Sequence, residues 1–314
     1  MYKEFYLSHT PEDMPVFHKP FYLDIVTNKS WDVCAIIKNN ELIASMPYHI
    51  RRHKGLIYTD QPPFTQFLGP WIKQDVRNNL SYRKYHEIIE NLYNQLPEFD
   101  YCCHHWHYDY QDWLPLYWKG FKQTTRYTYI IPPEQPLETT WDKINYTSKR
   151  EILKSQQKYK IHFLDDFECF YGFVKNNFAL KNKNNPYDYS FFSKINDACV
   201  TNNCRIIIAA ADESKSIHGV IYLLFDTNSL YYFSGGCDNT GLKDDLIKLL
   251  VWESIKIANE KKLIFDFEGS MIKNVEFFFN SFGCIQKPYF SVSKVNSRKL
   301  LLNDLIKHFI KIKL

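Results

Sequence analysis

The sequence predicts an α/β protein built as two domains, and three observations carry that expectation. The chain has 314 residues, which is long for one hydrophobic core. Residues 230–290 run strand, Gly-rich turn, helix, strand, polar turn, helix, the order of a parallel strand pair with a crossover helix. The first half is then restated by the second at an offset of roughly 170 residues. Cys34-Ala-Ile-Ile with Ile-Ala-Ser-Met-Pro returns as Cys204-Arg-Ile-Ile with Ile-His-Gly-Val-Ile, Leu56-Ile-Tyr as Leu230-Tyr-Tyr, and Phe99-Asp-Tyr as Phe265-Asp-Phe. Two copies of one fold, residues 1–135 and 136–314, are expected, with the linker in the Pro132–Pro136 run.

In chain order, residues 21–26 form a short helix that delivers Trp31. Residues 33–38 and 42–50 are strands around an Asn39-Asn40 turn, and 56–59 is a third strand. The prolines and glycine of 60–70 exclude regular structure there. Tyr85, Ile88, Ile89 and Leu92 recur at helical spacing over 82–96. A strand at 101–106, a short helix at 113–118 and a strand at 126–131 close the first half. The second half adds a basic helix at 139–158, two helices within 168–202 and a terminal amphipathic helix at 298–314.

Composition narrows the class. Hydrophobic residues make up 45% of the chain, as in ordinary globular proteins. A net charge of +4 is far below the footprint of a dedicated nucleic-acid binder, and no DNA partner is expected. The eight cysteines show neither CxxC pairs nor zinc spacing, which reads as reduced thiols in a cytoplasmic protein. Neither an apolar signal core nor an apolar run of membrane-spanning length is present in the sequence.

Chemistry is expected in the second half. The run Gly235-Gly236 to Thr240-Gly241 ends a strand and precedes a helix with Leu246, Leu249, Leu250 and Trp252 on its apolar side. Free N–H groups at such a helix start can hold a phosphate, or the glycines serve only backbone freedom. Asp266 and Glu268 lie two apart near a strand end and so share one face. They are a candidate base and hydrogen-bond acceptor, or else a pair of structural acids. The hydroxyls of Ser270 and Tyr289 are candidates to protonate a leaving group or orient an acceptor.

Other clusters have plainer readings beside the functional one. Arg51-Arg52-His53-Lys54 and the helical group Lys149, Arg150 and Lys154 suit a phosphorylated acceptor or a solvated face. Cys103, His105 and His107 alternate onto one side of a strand, but without a second ligand cluster no metal site is expected. Cys237 lacks a recognisable histidine partner for a nucleophile's role. The basic terminal helix either docks on its own domain or rests peripherally on an anionic membrane.

The motifs together resemble the FemAB-like acyltransferases of the GNAT superfamily. The resemblance rests on Phe21-Tyr-Leu-Asp-Ile, Trp31-Asp-Val-Cys, Ile43-Ala-Ser-Met-Pro-Tyr48 and Pro63-Phe-Thr-Gln-Phe-Leu-Gly-Pro-Trp71 in the first half. In the second it rests on Trp141, Arg150, Lys154, Tyr232-Phe-Ser-Gly-Gly236, Leu250 with Trp252-Glu253, and Phe265-Asp-Phe-Glu-Gly-Ser-Met271. It implies two tandem GNAT-like domains with mixed central sheets flanked by helices. It also implies transfer of an acyl group from acyl-CoA, such as acetyl-CoA, to an amine or hydroxyl of a small molecule or cell-envelope precursor.

On that resemblance Tyr232, Ser234, Gly235, Gly236, Thr240 and Gly241 bind the donor. Asp266 or Glu268 deprotonates the acceptor, with Ser270 and Tyr289 assisting. Arg51, Arg52, Gln61, Gln66, Trp71 and Arg150 face the acceptor. The run Gly236-Cys-Asp-Asn-Thr-Gly241 departs from the usual GNAT donor loop. The other readings are a peptidyltransferase fed by aminoacyl-tRNA, the donor of FemAB proteins proper, and a non-catalytic envelope-assembly protein. The sequence lacks the long helical hairpin with which some family members bind tRNA.

Overall fold

A computed structural model describes residues 2–180 and 188–302. The chain forms two compact units, one through Arg126 together with the chain from Pro288 onward, the other spanning Tyr127–Lys287. This differs from two consecutive halves. The chain leaves the first unit inside strand Lys122–Ile131 and re-enters it inside strand Ile285–Val295. Pro132–Pro136 therefore lies within the second unit. The division falls in extended strands, between Arg126 and Tyr127, where no proline or glycine marks it, and between Lys287 and Pro288.

In the first unit, strands Trp31–Lys38 and Glu41–His49 pair antiparallel, and Trp71–Ile72 joins the second of them. Asn39 and Asn40 both take positive φ, 52° and 60°, the geometry of a tight hairpin turn that asparagine tolerates. Strand Leu56–Thr59 runs parallel to Tyr101–His105, joined by a connection containing helix Tyr82–Asn94. The Ser81 side chain caps that helix at the Lys84 N–H, and His86, Ile89, Leu92 and Tyr93 are its buried residues. Residues 291–295 pair with Tyr101–His105 on the other side. Cys34, Met46, Ile89, Leu92, Trp106 and Val292 belong to one core cluster.

The second unit repeats this order. Strands Arg205–Ala211 and Ile217–Phe225 form an antiparallel hairpin, and Ser229–Cys237 adds to it antiparallel. Helix Leu246–Glu260 then leads to strand Ile264–Asp266, which lies parallel to Ser229–Cys237. Residues 130–131 and strand Lys160–Phe163 extend the sheet on its two sides. Leu246, Leu249, Leu250 and Ile255 bury one face of the helix over Ile221, Leu223, Leu230 and Phe265.

Several expectations shift. The basic helix of 139–158 is two helices, Leu137–Lys143 and Tyr146–Lys158. Asn145 breaks it, because its side chain accepts the Ser148 N–H and starts a new helix. Gly235 and Gly236 lie within strand Ser229–Cys237, not in a turn. All eight cysteines are free, and Cys34, Cys102, Cys199, Cys204 and Cys237 are buried. The terminal amphipathic helix falls largely on residues 303–314, outside the described residues. Among the described residues no helix is long and apolar enough to cross a membrane.

Candidate functional site

The site is built where two parallel strands part. Tyr231 and Asp266 form the last pair between them. Strand Ser229–Cys237 continues beyond it, while the other chain turns away. The Phe267 N–H donates to the Tyr129 carbonyl at 3.0 Å, and Glu268 and Gly269 then take φ of 59° and 69°. A Cβ on residue 269 would lie 2.1 Å from the Tyr127 carbonyl oxygen, so the turn requires glycine. Glutamate gains nothing from the left-handed region and pays about 1 kcal/mol to be there.

The two carboxylates are not a same-face pair, because the left-handed turn ends strand alternation before Glu268. Asp266 is fully buried. Its Oδ1 accepts the Thr128 hydroxyl at 2.6 Å and the Glu268 N–H at 2.8 Å. Asp266 thereby fixes the turn. Glu268 is partly exposed as a residue, yet its Oε1 is shielded from solvent and has no hydrogen-bond partner among the described residues. Burial, and then the charge of Asp266, push its carboxyl well above the usual carboxylate range. Other carboxylates move the opposite way. Asp212 is held down to about 2 by the Ser214 hydroxyl and His218, and Asp244 is held down by Lys158 and Tyr159. Strain, desolvation and a like charge thus converge on one side chain, the pattern of a proton-transfer group.

Ser270 follows, and its Oγ accepts the Ile272 N–H at 3.0 Å just ahead of helix Lys273–Asn280. Tyr289 belongs to the first unit, where it is buried and its hydroxyl accepts the Arg126 Nε–H at 3.2 Å. Sequence reasoning missed both Thr128 and Arg126. Each lies in strand Lys122–Ile131, in a run of alternating threonines and tyrosines that reads as ordinary β structure.

The residues expected around the donor have varied surroundings. Tyr232 is half-buried, with its ring edge-on to Phe279 at 6.0 Å, and Ser234 is buried. A Cβ on Gly236 would come within 2.8 Å of the Phe173 carbonyl, so this glycine admits helix Phe167–Leu180 to the strand. Thr240 and Gly241 lie in the short helix Asn239–Lys243. The Gly241 N–H is already taken by Asp238 Oδ1 at 2.8 Å. Asp238 also meets His218 Nδ1 at 2.8 Å, and Asp212 meets His218 Nε2 at 3.1 Å. Burial opposes protonation of His218, but the two carboxylates outweigh it and raise its pKa. Asp244 accepts the Lys158 ammonium and the Tyr159 hydroxyl, each at 2.8 Å. Carboxylates thus occupy the region ahead of helix Leu246–Glu260 where a pyrophosphate was expected. Cys237 is buried, which removes it as an exposed nucleophile.

The expected acceptor residues divide between surface and structure. Arg51 pairs with Asp60 and lies over the Tyr58 ring at 4.3 Å, while Arg52 is exposed. Gln61 accepts the His105 N–H at 3.1 Å and donates to the Thr65 carbonyl at 2.9 Å, so it braces its own loop. Gln66 and Trp71 are buried, Trp71 in a cluster with Tyr6, Leu23 and Leu68. Arg150 is exposed on its helix and pairs with the adjacent Glu151. Cys103 meets Ser291 Oγ at 3.4 Å, His105 faces Tyr289, and His107 lies against Tyr108 and Phe67. Burial pushes His105 and His107 down to about 4.

Neither known family models nor curated proteins match the chain. Solved structures do. The crystal structure of FemX aligns with a TM-score of 0.67 at 12% identity, covering 92% of this chain and 94% of that one. A C-terminal domain from Agrobacterium fabrum, named for lysylphosphatidylglycerol synthetase, aligns at 0.58 and 9% identity over 92% and 95%. L-PGS from Bacillus licheniformis aligns at 0.53 and 9% identity over 94% and 95%. At these identities the likeness is one of fold. With the strand order and the repeated crossover, it shows that the chain has the α/β fold of FemX.

Proposed function

We infer that this protein is an acyltransferase in which Glu268 accepts the proton of an amine or hydroxyl acceptor. The carrying observation is the desolvated Glu268 carboxyl, poised on a strained turn where the parallel strands part. An acceptor nitrogen or oxygen attacks the carbonyl carbon of an activated acyl group lying along strand Ser229–Cys237. The new C–N or C–O bond forms, the bond to the leaving sulfur or oxygen breaks, and the acceptor proton passes to Glu268. Ser270 is the nearest hydroxyl in sequence to return a proton to the leaving group. Backbone N–H groups where the strand edge is left behind would stabilise the oxyanion. The acceptor is a small molecule or a cell-envelope precursor.

Two donors fit this chemistry. Acyl-CoA is the donor that the GNAT resemblance implies. Aminoacyl-tRNA is favoured by a specific observation: Asp238 and Asp244 stand where a CoA pyrophosphate would otherwise meet the helix start. The test incubates the full chain with an acyl-CoA panel and, separately, with charged tRNA, each with a panel of amines and hydroxylated precursors. Thiol release or deacylation above background, lost in Glu268→Gln, is the expected result. Turnover that survives Glu268→Gln overturns the assignment. Steep salt dependence with charged tRNA alone selects the second donor.

A further inference from the structure

The protein has eight arginines, at 51, 52, 77, 83, 126, 150, 205 and 298. Five face carboxylates: Arg51 with Asp60, Arg77 with Asp109, Arg83 with Glu87, Arg150 with Glu151 and Arg205 with Asp165. Arg52 and Arg298 are exposed, where water solvates their charge. Arg126 is different. It is half-buried, and among the described residues it has no carboxylate partner at ion-pair distance. Its partner is the Tyr289 hydroxyl, which takes the Nε–H.

The surroundings hold this guanidinium in place without neutralising it. The Tyr289 ring is edge-on to Phe67 at 5.2 Å and to His105 at 5.9 Å. Burial, and then the charge of Arg126, hold His105 down to about 4, so it is neutral at pH 7 and leaves Arg126 as the local cation. With Nε committed to Tyr289, the two terminal nitrogens remain as an end-on fork. That fork matches two oxygens of one carboxylate or phosphate. A half-buried cation with no counter-charge is costly unless a ligand supplies one.

We propose that Arg126, positioned by Tyr289, forms an oxyanion-binding site in the first unit for a ligand's carboxylate or phosphate group. The site stands apart from the acyl-transfer reading, because binding can be measured without turnover.

The test is calorimetric titration of the full chain with inorganic phosphate and, in a second arm, acetate, at constant ionic strength set with chloride. Saturable binding of at least one anion is expected. Loss of one charge-assisted contact predicts a drop in affinity of about tenfold or more in Arg126→Gln. Arg126→Lys keeps the charge but loses the fork and falls between the two, and it carries the test if Arg126→Gln does not fold. The exposed control Arg298→Gln binds like wild type. Phosphate alone, acetate alone, or both identify which oxyanion the site takes. No saturable binding of either anion, undiminished binding in Arg126→Gln, or an equal loss in Arg298→Gln overturns the proposal.

Discussion

The two units carry the same parallel strand pair and finish it differently. In the first, Leu56–Thr59 lies beside Tyr101–His105, with helix Tyr82–Asn94 in the connection. In the second, Ser229–Cys237 lies beside Ile264–Asp266, with helix Leu246–Glu260. Past the last pair of the first unit, the chain fills the gap itself. The Leu68 N–H donates to the His105 carbonyl, and Gln61 accepts the His105 N–H. Past the last pair of the second unit stands a left-handed turn carrying a shielded carboxyl. The same topology thus gives a plugged strand end in one copy and a left-handed turn with a shielded carboxyl in the other.

The sharpest way to break this contrast is Glu268→Gln. General-base loss costs about a hundredfold to ten-thousandfold in kcat. The same change should not destabilise the fold. Glu268 has a raised pKa against an ordinary value of 4.5, so its contribution to stability is complete below that value and is lost as pH rises through the raised one. The variant should therefore melt higher than wild type at neutral pH, and the gap should close in acid. Melting curves across pH check this sign.

Two glycines test whether the second turn is the more constrained. Gly269→Ala meets the Tyr127 carbonyl at 2.1 Å as well as a left-handed φ, and should cost at least about 3 kcal/mol. Gly55→Ala in the first unit meets nothing within 4 Å and should cost about 1 kcal/mol, from φ alone. Urea unfolding separates the two values. Between them falls Thr128→Val, which removes a hydroxyl from the buried Asp266 and should cost about 2 kcal/mol. At the small end, Arg150→Ala should leave the melting temperature unchanged, because its ion pair is exposed.

Much of this architecture is visible in the sequence, because apolar periodicity and turn residues act locally. The Asn39-Asn40 hairpin, the helix bearing Ile89 and Leu92, and the repeated strand–helix–strand order all follow from neighbours along the chain. What the sequence hides is set by distant contacts. Gly236 reads as a turn but serves the approach of helix Phe167–Leu180. Asp266 and Glu268 read as equals until Thr128, far away in sequence, claims one of them. Gln61 and Gln66 look like acceptor contacts, yet one is consumed bracing its loop and the other is buried. Arg126 carries no local mark, because what distinguishes it is that no carboxylate among the described residues lies at ion-pair distance.

The first unit is completed by a strand far along the chain. Residues 291–295 pair with Tyr101–His105, and Cys103 meets Ser291 across 188 residues. At roughly 5–20 residues per second, a ribosome needs on the order of ten to forty seconds to bridge that separation. Throughout that interval strand Tyr101–His105 waits with one edge unpaired, exposing hydrogen-bonding groups to any passing strand. During synthesis, strand Tyr101–His105 is thus finished only after residues 291–295 are made, and loss of the segment from Pro288 would strand the first unit rather than the second.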